Sequence, residues 1–210
     1  MTKTLGKTRD KTRIQRKNTA TILEAALDVF STHGFRGSTV DQIGNAAGLS
    51  KPNLLYYFSS KEAIHNALLS GLMDTWLDPL RALDAQGDPL PEILNYVCRK
   101  LKMSREFPRE SRLFANEIIQ GAPRIMGALD AELRPLVDEK CAVIAGWIAA
   151  GKIAPVHPYH LMFSIWSLTQ HYADFDVQVH RILGQDTDPY PEAEVYLETL
   201  FTRMLTPQTI

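Results

Sequence analysis

The chain has 210 residues, 45% of them hydrophobic, and a formal net charge of −1, a composition typical of a globular protein with one or two cores. It has no run of about eighteen apolar residues, and its basic N-terminus lacks the apolar segment of a secretory signal, so we expect no membrane association. The two cysteines, Cys98 and Cys141, form neither a disulfide framework nor a metal-ligand spacing, which fits a cytoplasmic protein without metal or cofactor.

Positive charge is concentrated at the start of the chain. Residues 1–61 contain ten lysines and arginines against four acidic residues, whereas residues 62–210 contain thirteen against twenty. Most of the excess lies in residues 1–17, which we predict to form a basic flexible arm. Such an arm either stays solvated or neutralises nucleic-acid phosphates and releases counterions. A basic end on an acidic body favours the second interpretation.

Residues 18–63 begin with two helical segments. Thr39 is followed three residues later by Gln42, which is a capping-box pattern and predicts the start of a short second helix. The first helix ends at Gly34. Its apolar face is indicated by residues spaced at i, i+3, i+4 and i+7, namely Leu23, Ala26, Leu27 and Phe30.

A third short helix is predicted over residues 51–57. Gly48 breaks the second helix, Ser50 can cap the third, and Pro52 is tolerated because first-turn amides have no intrahelical acceptor. Two short helices joined by a glycine-containing turn are typical of a helix-turn-helix unit. In such a unit the later helix lies in the DNA major groove.

The third helix has one inward and one outward face. Leu54 and Phe58 are four residues apart and can close a three-helix bundle. Asparagine can pair with adenine, and lysine with guanine or phosphate, so the outward face suits DNA. Its tyrosines could instead be simple surface or packing residues. The predicted DNA contacts are Thr39, Lys51, Pro52, Asn53, Tyr56, Tyr57 and Lys61.

The rest of the chain predicts an all-α body. A long helix continues to Leu83, and Pro79 is expected to bend it. The apolar periodicity and the intervening proline and glycine turns then predict helices over residues 89–106, 109–120, 127–150, 158–183 and 191–205.

In the segment FSIWSLTQHYADFDVQVHR, residues 163–181, two polar residues interrupt an apolar helical stripe that contains a tryptophan. One helical stripe contains Phe163, Trp166, Gln170, Ala173, Asp174 and Val177. Buried polar groups need partners. Gln170 and Asp174 therefore either satisfy each other or a partner subunit, or they bind a planar ligand stacked on Trp166. Trp76 is a candidate second wall, with ordinary core packing as its alternative.

Other chemistry has little support in the sequence. His157 and His160 are three residues apart but have no evident third metal ligand. No phosphate-binding glycine loop, zinc-protease motif or nucleophile-elbow motif occurs. We therefore predict that the protein is not an enzyme.

The segment AALDVFSTHGFRGSTVDQIGNAAGLSKPNLLYYFSSKEAI resembles the DNA-binding segment of the TetR family of bacterial transcription regulators. The resemblance covers about residues 16–65. The chain departs from the family pattern at Leu55, where tyrosine is usual, and at Pro52, where a small residue is usual. The resemblance implies a homodimer that binds operator DNA, with residues 64–210 forming an effector-binding and dimerisation domain.

Four further segments, NLLYYF, SRLFANEIIQGAP, IAGWIAAGKIAP and WSLTQHYADFDVQV, resemble the regulators of pyrimidine utilisation within that family. This resemblance implies uracil or thymine as the effector. Tyr172 could add a hydroxyl, and Glu117 is a weaker candidate whose alternative is an ion pair with Arg112 or Arg124. The resemblance implies that four residues line the ligand pocket, namely Trp76, Trp166, Gln170 and Asp174.

The predicted function is a ligand-responsive transcription regulator, most simply a repressor. Its predicted partners are double-stranded operator DNA, a small-molecule effector and a second copy of the chain. The alternatives are a regulator with a different effector and an architectural DNA-binding dimer without one. The helix from Ser60 to Leu83 touches both predicted domains and is the expected lever between them.

Overall fold

The computed structural model describes residues 4–207, with side chains described from residue 13. All regular secondary structure in this range is helical, which confirms the all-α prediction, and none of these helices is long and apolar enough to cross a membrane. The helices are α1 (Thr4–Gly37), α2 (Val40–Ala46), α3 (Lys51–Tyr57), α4 (Lys61–Arg81), α5 (Pro89–Glu106), α6 (Pro108–Ile119), α7 (Met126–Ala128), α8 (Arg134–Ala149), α9 (Pro158–Asp174), α10 (Asp176–Leu183) and α11 (Tyr190–Leu205).

The first helix starts earlier than the charge pattern predicts. Its backbone is helical from Thr4, within the segment 1–17 expected to be a flexible arm. Lysine and arginine are good helix formers, so a basic segment does not oppose this extension. The predicted break is present at Gly34, whose φ of 66° and ψ of 172° interrupt the helix.

The turn between α2 and α3 depends on two glycines. Gly48 has a φ of 67°, a conformation that glycine adopts without strain. A Cβ on Gly44 would lie 2.9 Å from the carbonyl oxygen of Leu49, so only glycine allows this close approach. The Leu49 amide donates to the Gly44 carbonyl at 2.8 Å and closes the turn. The glycines thereby fix the angle between the two helices.

Two long helices predicted in the second half are interrupted. The predicted helix 127–150 becomes α7, a π-helical turn over Leu129–Leu133, and α8, whose first turn contains Pro135. Proline fits there because its missing N–H needs no partner in a first turn. The predicted helix 158–183 breaks at Phe175, which has a φ of −119° and a ψ of 31°. Periodicity continues across both breaks, so the sequence pattern does not reveal them.

The buried side chains form two cores that meet along α4. The N-terminal core joins the three-helix bundle to Trp76 of α4 and Leu113 of α6. The C-terminal core contains Leu80 of α4 together with residues of α5, α8, α9 and α11. Since α4 contributes to both cores, a movement of this helix is shared by both halves of the chain. The proposed lever helix therefore spans the junction.

Candidate DNA-binding and effector sites

The outward face of α3 presents the side chains expected to contact DNA. Lys51, Pro52 and Asn53 are exposed, and Tyr56 has 73% of its surface accessible. Leu54 is completely buried in the N-terminal core. The helix is thus anchored by one face and leaves the other free for a partner.

Lys51 carries a replaceable ion pair. Its ammonium lies 2.9 Å from the carboxylate of Asp41, and both side chains are more than half exposed. Exposed pairs of this kind contribute only about 0–1 kcal/mol. Exchange of Asp41 for a phosphate group therefore costs little.

Two other predicted DNA contacts, Tyr57 and Thr39, already form hydrogen bonds within the bundle. Tyr57 accepts a hydrogen bond from the side-chain amide of Asn18 at 2.7 Å, which leaves its own hydroxyl proton free to donate. The Thr39 hydroxyl accepts from the Gln42 backbone N–H at 3.2 Å, and the Gln42 side-chain oxygen accepts from the Thr39 backbone N–H at 2.8 Å, which forms the predicted capping box. Both residues remain close to the exposed face of the unit.

Lys61 makes more contacts within the protein than the other predicted DNA-contacting residues. Its ammonium donates to the carbonyl oxygens of Phe35 and Ser38, each at 2.7 Å, and lies 4.3 Å from the centre of the Phe35 ring. These carbonyls belong to the end of α1 and the residue after it, where acceptors lack helical partners. The contact ties the start of α4 to the end of α1.

A cavity of about 620 Å³ lies between α4, α5, α6 and α9, beside the π-helical turn. Its volume falls within the range of about 300–1,000 Å³ found for small-molecule sites. The sequence-predicted residues that line it are Trp76, Trp166, Gln170 and Asp174. Trp76 belongs to the N-terminal core, while Trp166 packs against the C-terminal core. The cavity therefore lies at the junction of the two cores.

A polar network organises one side of the cavity. The Trp166 indole donates to the Tyr96 hydroxyl at 2.7 Å, and the Ser111 hydroxyl donates to the Asp174 carboxylate at 2.6 Å. Burial raises the pKa of Asp174, although the Ser111 bond and nearby positive charges oppose the rise. The indole and the carboxylate are thus both held in fixed positions.

The remaining wall is largely apolar. Side chains of α6, the π-helical turn and α9 contribute to it, so residues far apart in sequence meet only after folding. They include Phe114, Ile118, Ile119, Leu129, Leu133 and Phe163. A mainly apolar wall with a few fixed polar groups is the usual composition of a small-molecule site.

Sequence reasoning missed Lys100, whose side chain lines the cavity and is 3% exposed. It lies 5.3 Å from the centre of the Trp76 ring. Burial lowers its pKa to about 8, although the charge of Asp174 opposes this change. The available signal was a lysine four residues after Tyr96, on the face of α5 that also buries Val97.

Sequence reasoning also missed His171, which lines the cavity and stacks on Phe175 with ring centres 5.0 Å apart. Phe175 occupies the break between α9 and α10. Because that break was not predicted, the position of both rings could not be derived from an uninterrupted helix.

Two predicted ligand residues lie away from the cavity. Glu117 is 2% exposed and accepts hydrogen bonds from the backbone and side chain of Arg124, at 2.8 and 2.9 Å. This is the ion pair that the sequence left as its alternative. Tyr172 packs against the C-terminal core, with its ring centre 5.9 Å from that of Tyr190. It follows Gln170 by two residues, and this spacing turns it to another side of α9.

The histidine pair and one cysteine cluster are the remaining groups with ligand chemistry. The rings of His157 and His160 lie 4.6 Å apart, but no third ligand joins them within the described residues. Elsewhere, ligand atoms of Cys98, Glu194 and Glu198 lie within 4.8 Å of one another. The Cys98 thiol donates to Glu198 at 3.3 Å, and burial raises its pKa to about 12, which opposes formation of the thiolate.

Comparison with known structures supports the fold. A structure of SCO4942 from Streptomyces coelicolor superposes with a TM-score of 0.70 and 21% identity, covering 90% of this chain and 98% of that one. The structure of AibR in complex with isovaleryl coenzyme A and operator DNA gives a TM-score of 0.68 and 16% identity, covering 91% and 100%. At these identities the similarity concerns the fold alone.

Comparison with known sequences identifies the family. Residues 22–68 match the family described as bacterial regulatory proteins, tetR family, and residues 69–208 match the C-terminal region of YcdC-like proteins. The HTH-type transcriptional regulator RutR of Escherichia coli K12 is 52% identical over 163 residues, which cover 78% of this chain and 77% of RutR. The chain belongs to the TetR family and is a ligand-responsive, DNA-binding transcription regulator rather than an enzyme.

Proposed function

We propose that this regulator responds to a pyrimidine base, uracil or thymine, bound in the cavity between Trp76 and Trp166. The observation that carries the proposal is the cavity itself, in which Gln170 and Asp174 stand beside the two indoles. Indoles provide flat apolar surfaces for a planar ring. The similarity to RutR, a pyrimidine-utilisation regulator, supports the same ligand class.

The polar residues complement the edges of a pyrimidinedione. Such a ring alternates carbonyl acceptors with N–H donors. Gln170 offers both an acceptor and a donor, and an ionised Asp174 offers acceptors. The bond from Ser111 engages one Asp174 oxygen, Oδ1, so the other is available to a ligand. Stacking thus provides much of the affinity, while these polar groups select the ring edge.

On the DNA side, we propose that α3 enters the major groove. Lys51 and Asn53 are the base-reading candidates, because both are exposed near the N-terminus of the helix. Tyr56 and Tyr57, in the last turn of α3, contact the DNA backbone. Pro52, in the first turn, contacts it as well. Thr39 and Lys61 support these contacts from the neighbouring helix ends, where their hydrogen bonds hold the bundle.

The last three helices supply the proposed dimer surface. Nine of the sixteen large apolar side chains that are exposed among the described residues lie between Tyr159 and Met204. The most exposed are Ile182, Val177 and Val195, at 75%, 71% and 65%. An excess of exposed large apolar side chains is typical of interaction surfaces. Dimerisation would set the two copies of α3 about 34–36 Å apart, as successive major grooves require.

Helix α6 connects the cavity to the DNA-binding bundle, because it packs against both α1 and α9. Ser111 holds Asp174 of the cavity. Near the start of α6, Arg109 forms ion pairs with Glu24 and Asp28 of α1, and the pair with Glu24 measures 2.8 Å. We propose that ligand binding shifts α6 and α4 together and so changes the spacing of the α3 helices. The ligand acts only through its difference in affinity for the two arrangements.

The test has two readouts, ligand-induced thermal stabilisation and affinity for an operator selected from random duplexes. A ligand at a hundredfold excess over its Kd stabilises the folded state by about 2.7 kcal/mol. We expect saturable stabilisation by uracil or thymine and weaker operator binding in their presence. Trp166→Ala and Gln170→Ala should abolish both effects. Trp147→Phe is the matched control, since Trp147 is buried in the C-terminal core and does not line the cavity.

The alternatives predict different results. A different effector would leave uracil and thymine without effect, while another planar compound stabilises the protein through Trp166. An architectural dimer would show no stabilisation by any small molecule and little preference for a selected operator over other DNA. Equal operator affinity with and without saturating ligand would rule out the proposed coupling.

A further inference from the structure

Two lysines are buried in the effector-binding part of the chain, and their surroundings differ. Lys140 is 6% exposed, donates to the Leu83 carbonyl at 3.1 Å and pairs with Glu139 at 3.0 Å. Lys100 is 3% exposed, yet no described residue accepts a hydrogen bond from its ammonium. The Lys100 side chain lines the cavity, so a charged ammonium there is costly unless a group in the cavity accepts from it. Lys140 therefore has a structural role that explains its burial, whereas Lys100 does not.

The nearby carboxylate of Asp174 does not replace the missing acceptor. Both residues line the cavity, but they form no ion pair within 4.0 Å. A close pair would lower the pKa of the carboxyl group and raise that of the lysine. Burial instead raises the pKa of Asp174 and lowers that of Lys100 to about 8. The two groups are therefore buried together without satisfying each other.

We infer that Lys100 is a ligand-contacting residue: its ammonium donates to a ring carbonyl while Asp174 accepts from the adjoining N–H, so the cavity selects cyclic amides, imides and ureides. This inference rests on the proposed role of the cavity as the effector site. An ammonium has only donors and an ionised carboxylate only acceptors. A ring in which C=O adjoins N–H presents the complementary pair to them.

The same arrangement explains selectivity between planar rings. A ring with carbonyls but no N–H satisfies Lys100 and leaves Asp174 without a donor. An aromatic hydrocarbon satisfies neither group, although it can contact the indoles of Trp76 and Trp166 in the cavity wall. Sites with buried polar groups reject ligands that leave those groups unpaired much more strongly than apolar pockets reject an extra methylene. Lys100 thus sets the ligand class rather than merely adding affinity.

The experiment is calorimetric titration of the full-length protein with uracil and with 1,3-dimethyluracil, which keeps both carbonyls and lacks both N–H groups. The variants are Lys100→Met and the matched Lys140→Met. We expect Lys100→Met to lose at least about tenfold in uracil affinity. It should also melt at a temperature equal to or above that of the parent protein, because an unsatisfied buried charge has been removed. Lys140→Met should show the reverse pattern, a lower melting temperature and unchanged uracil affinity.

Asp174→Asn tests the other half of the pair. It should weaken binding of uracil but leave the weak binding of 1,3-dimethyluracil unchanged, since that compound has no N–H to offer. Lys100→Met should weaken binding of both compounds. Unchanged uracil affinity in Lys100→Met, together with loss of binding in Trp166→Ala, would overturn the role of Lys100 while the cavity remained the effector site.

The two proposals can fail separately. If uracil and thymine do not bind, the same titrations use hydantoin and succinimide, which also place C=O beside N–H. Binding of these rings that depends on Lys100 would support the inference and overturn the pyrimidine assignment. Failure of every such ring to bind would overturn both.

Discussion

The cations beside the Phe35 ring and the lysine in the cavity wall differ in their partners. At the Phe35 ring of the bundle, Lys61 donates to two backbone carbonyls and lies over the ring. Arg124, from the turn after α6, lies 3.6 Å from the centre of the same ring while paired with Glu117. In the cavity, Lys100 is more deeply buried and lacks an acceptor among the described residues. The cations beside the Phe35 ring thus have hydrogen-bond partners within the protein, whereas the Lys100 side chain lines the cavity without one.

We expect the largest change in the free energy of unfolding when Lys61 is substituted. Lys61→Met leaves the carbonyl oxygens of Phe35 and Ser38 without their donor and removes the cation from the Phe35 ring. Hydrogen bonds to charged groups contribute about 1.5–3 kcal/mol, so we expect a loss of about 3 kcal/mol in the free energy of unfolding. Urea denaturation measures it, with the exposed Lys51→Met as a control within about 0.5 kcal/mol of the parent. A loss as small as that of the control would show that Lys61 does not hold α1 to α4.

A smaller loss is expected at Glu117. Glu117→Gln removes the charge that pairs with Arg124 and keeps the shape of the side chain. Breaking a buried pair costs about 3–5 kcal/mol, but the Arg124 side chain is 20% exposed and keeps its contact with Phe35, so we expect about 2 kcal/mol. The same denaturation experiment measures it. Unchanged uracil binding in this variant is also expected, because Glu117 lies outside the cavity; reduced binding would place it in the ligand site after all.

The two regions also differ in how far the sequence predicts them. The bundle depends on local signals: Thr39 caps α2 through Gln42 three residues away, and Gly48 and Leu54 act within one turn. These signals were sufficient to place α2 and α3. The DNA contacts of the exposed residues on α3 remain predictions, because their partner is a separate molecule.

The cavity depends on contacts between distant segments. Periodicity grouped Trp166, Gln170 and Asp174 on one stripe of α9, and the structure places all three in the cavity wall. Lys100 could not be assigned to that wall, because α5 and α9 are brought together only by the C-terminal core. Glu117 was a weaker ligand candidate with an ion pair as its alternative, and its side chain lies against Arg124. Sequence periodicity gives the face of a helix and not the partner that the face meets.

A change of about 1 kcal/mol is expected at Ser111, which connects the cavity to the bundle. Ser111→Ala removes the hydrogen bond to Asp174, and a typical hydrogen bond contributes about 0.5–1.5 kcal/mol. If α6 transmits the signal, uracil should still bind to this variant but reduce operator affinity less than in the parent protein. Operator titrations with and without uracil measure the coupling. An unchanged ratio of the two operator affinities would exclude the Ser111–Asp174 bond from transmission.

The smallest effect is expected in the proton balance of ligand binding. The titratable groups that face Lys100 within the cavity are Asp174 and His171 of α9 and Tyr96 of its own helix, while α4 and α6 contribute only non-titrating side chains to this wall. Burial lowers the pKa of Lys100 from an ordinary value of 10.5 to about 8. Between these values the unfolded chain binds more protons than the folded protein, so this residue makes stability rise with pH across that window.

A ligand carbonyl that accepts from the Lys100 ammonium favours the charged form and raises its pKa. Near pH 8, where about half of the Lys100 side chains are neutral in the free protein, uracil binding should therefore take up a fraction of a proton. Calorimetry in two buffers with different ionisation enthalpies measures this uptake, which should vanish in Lys100→Met and near pH 6. Uptake that persisted in Lys100→Met would come from another group, and the ligand carbonyl would then accept from another donor, such as the side-chain amide of Gln170.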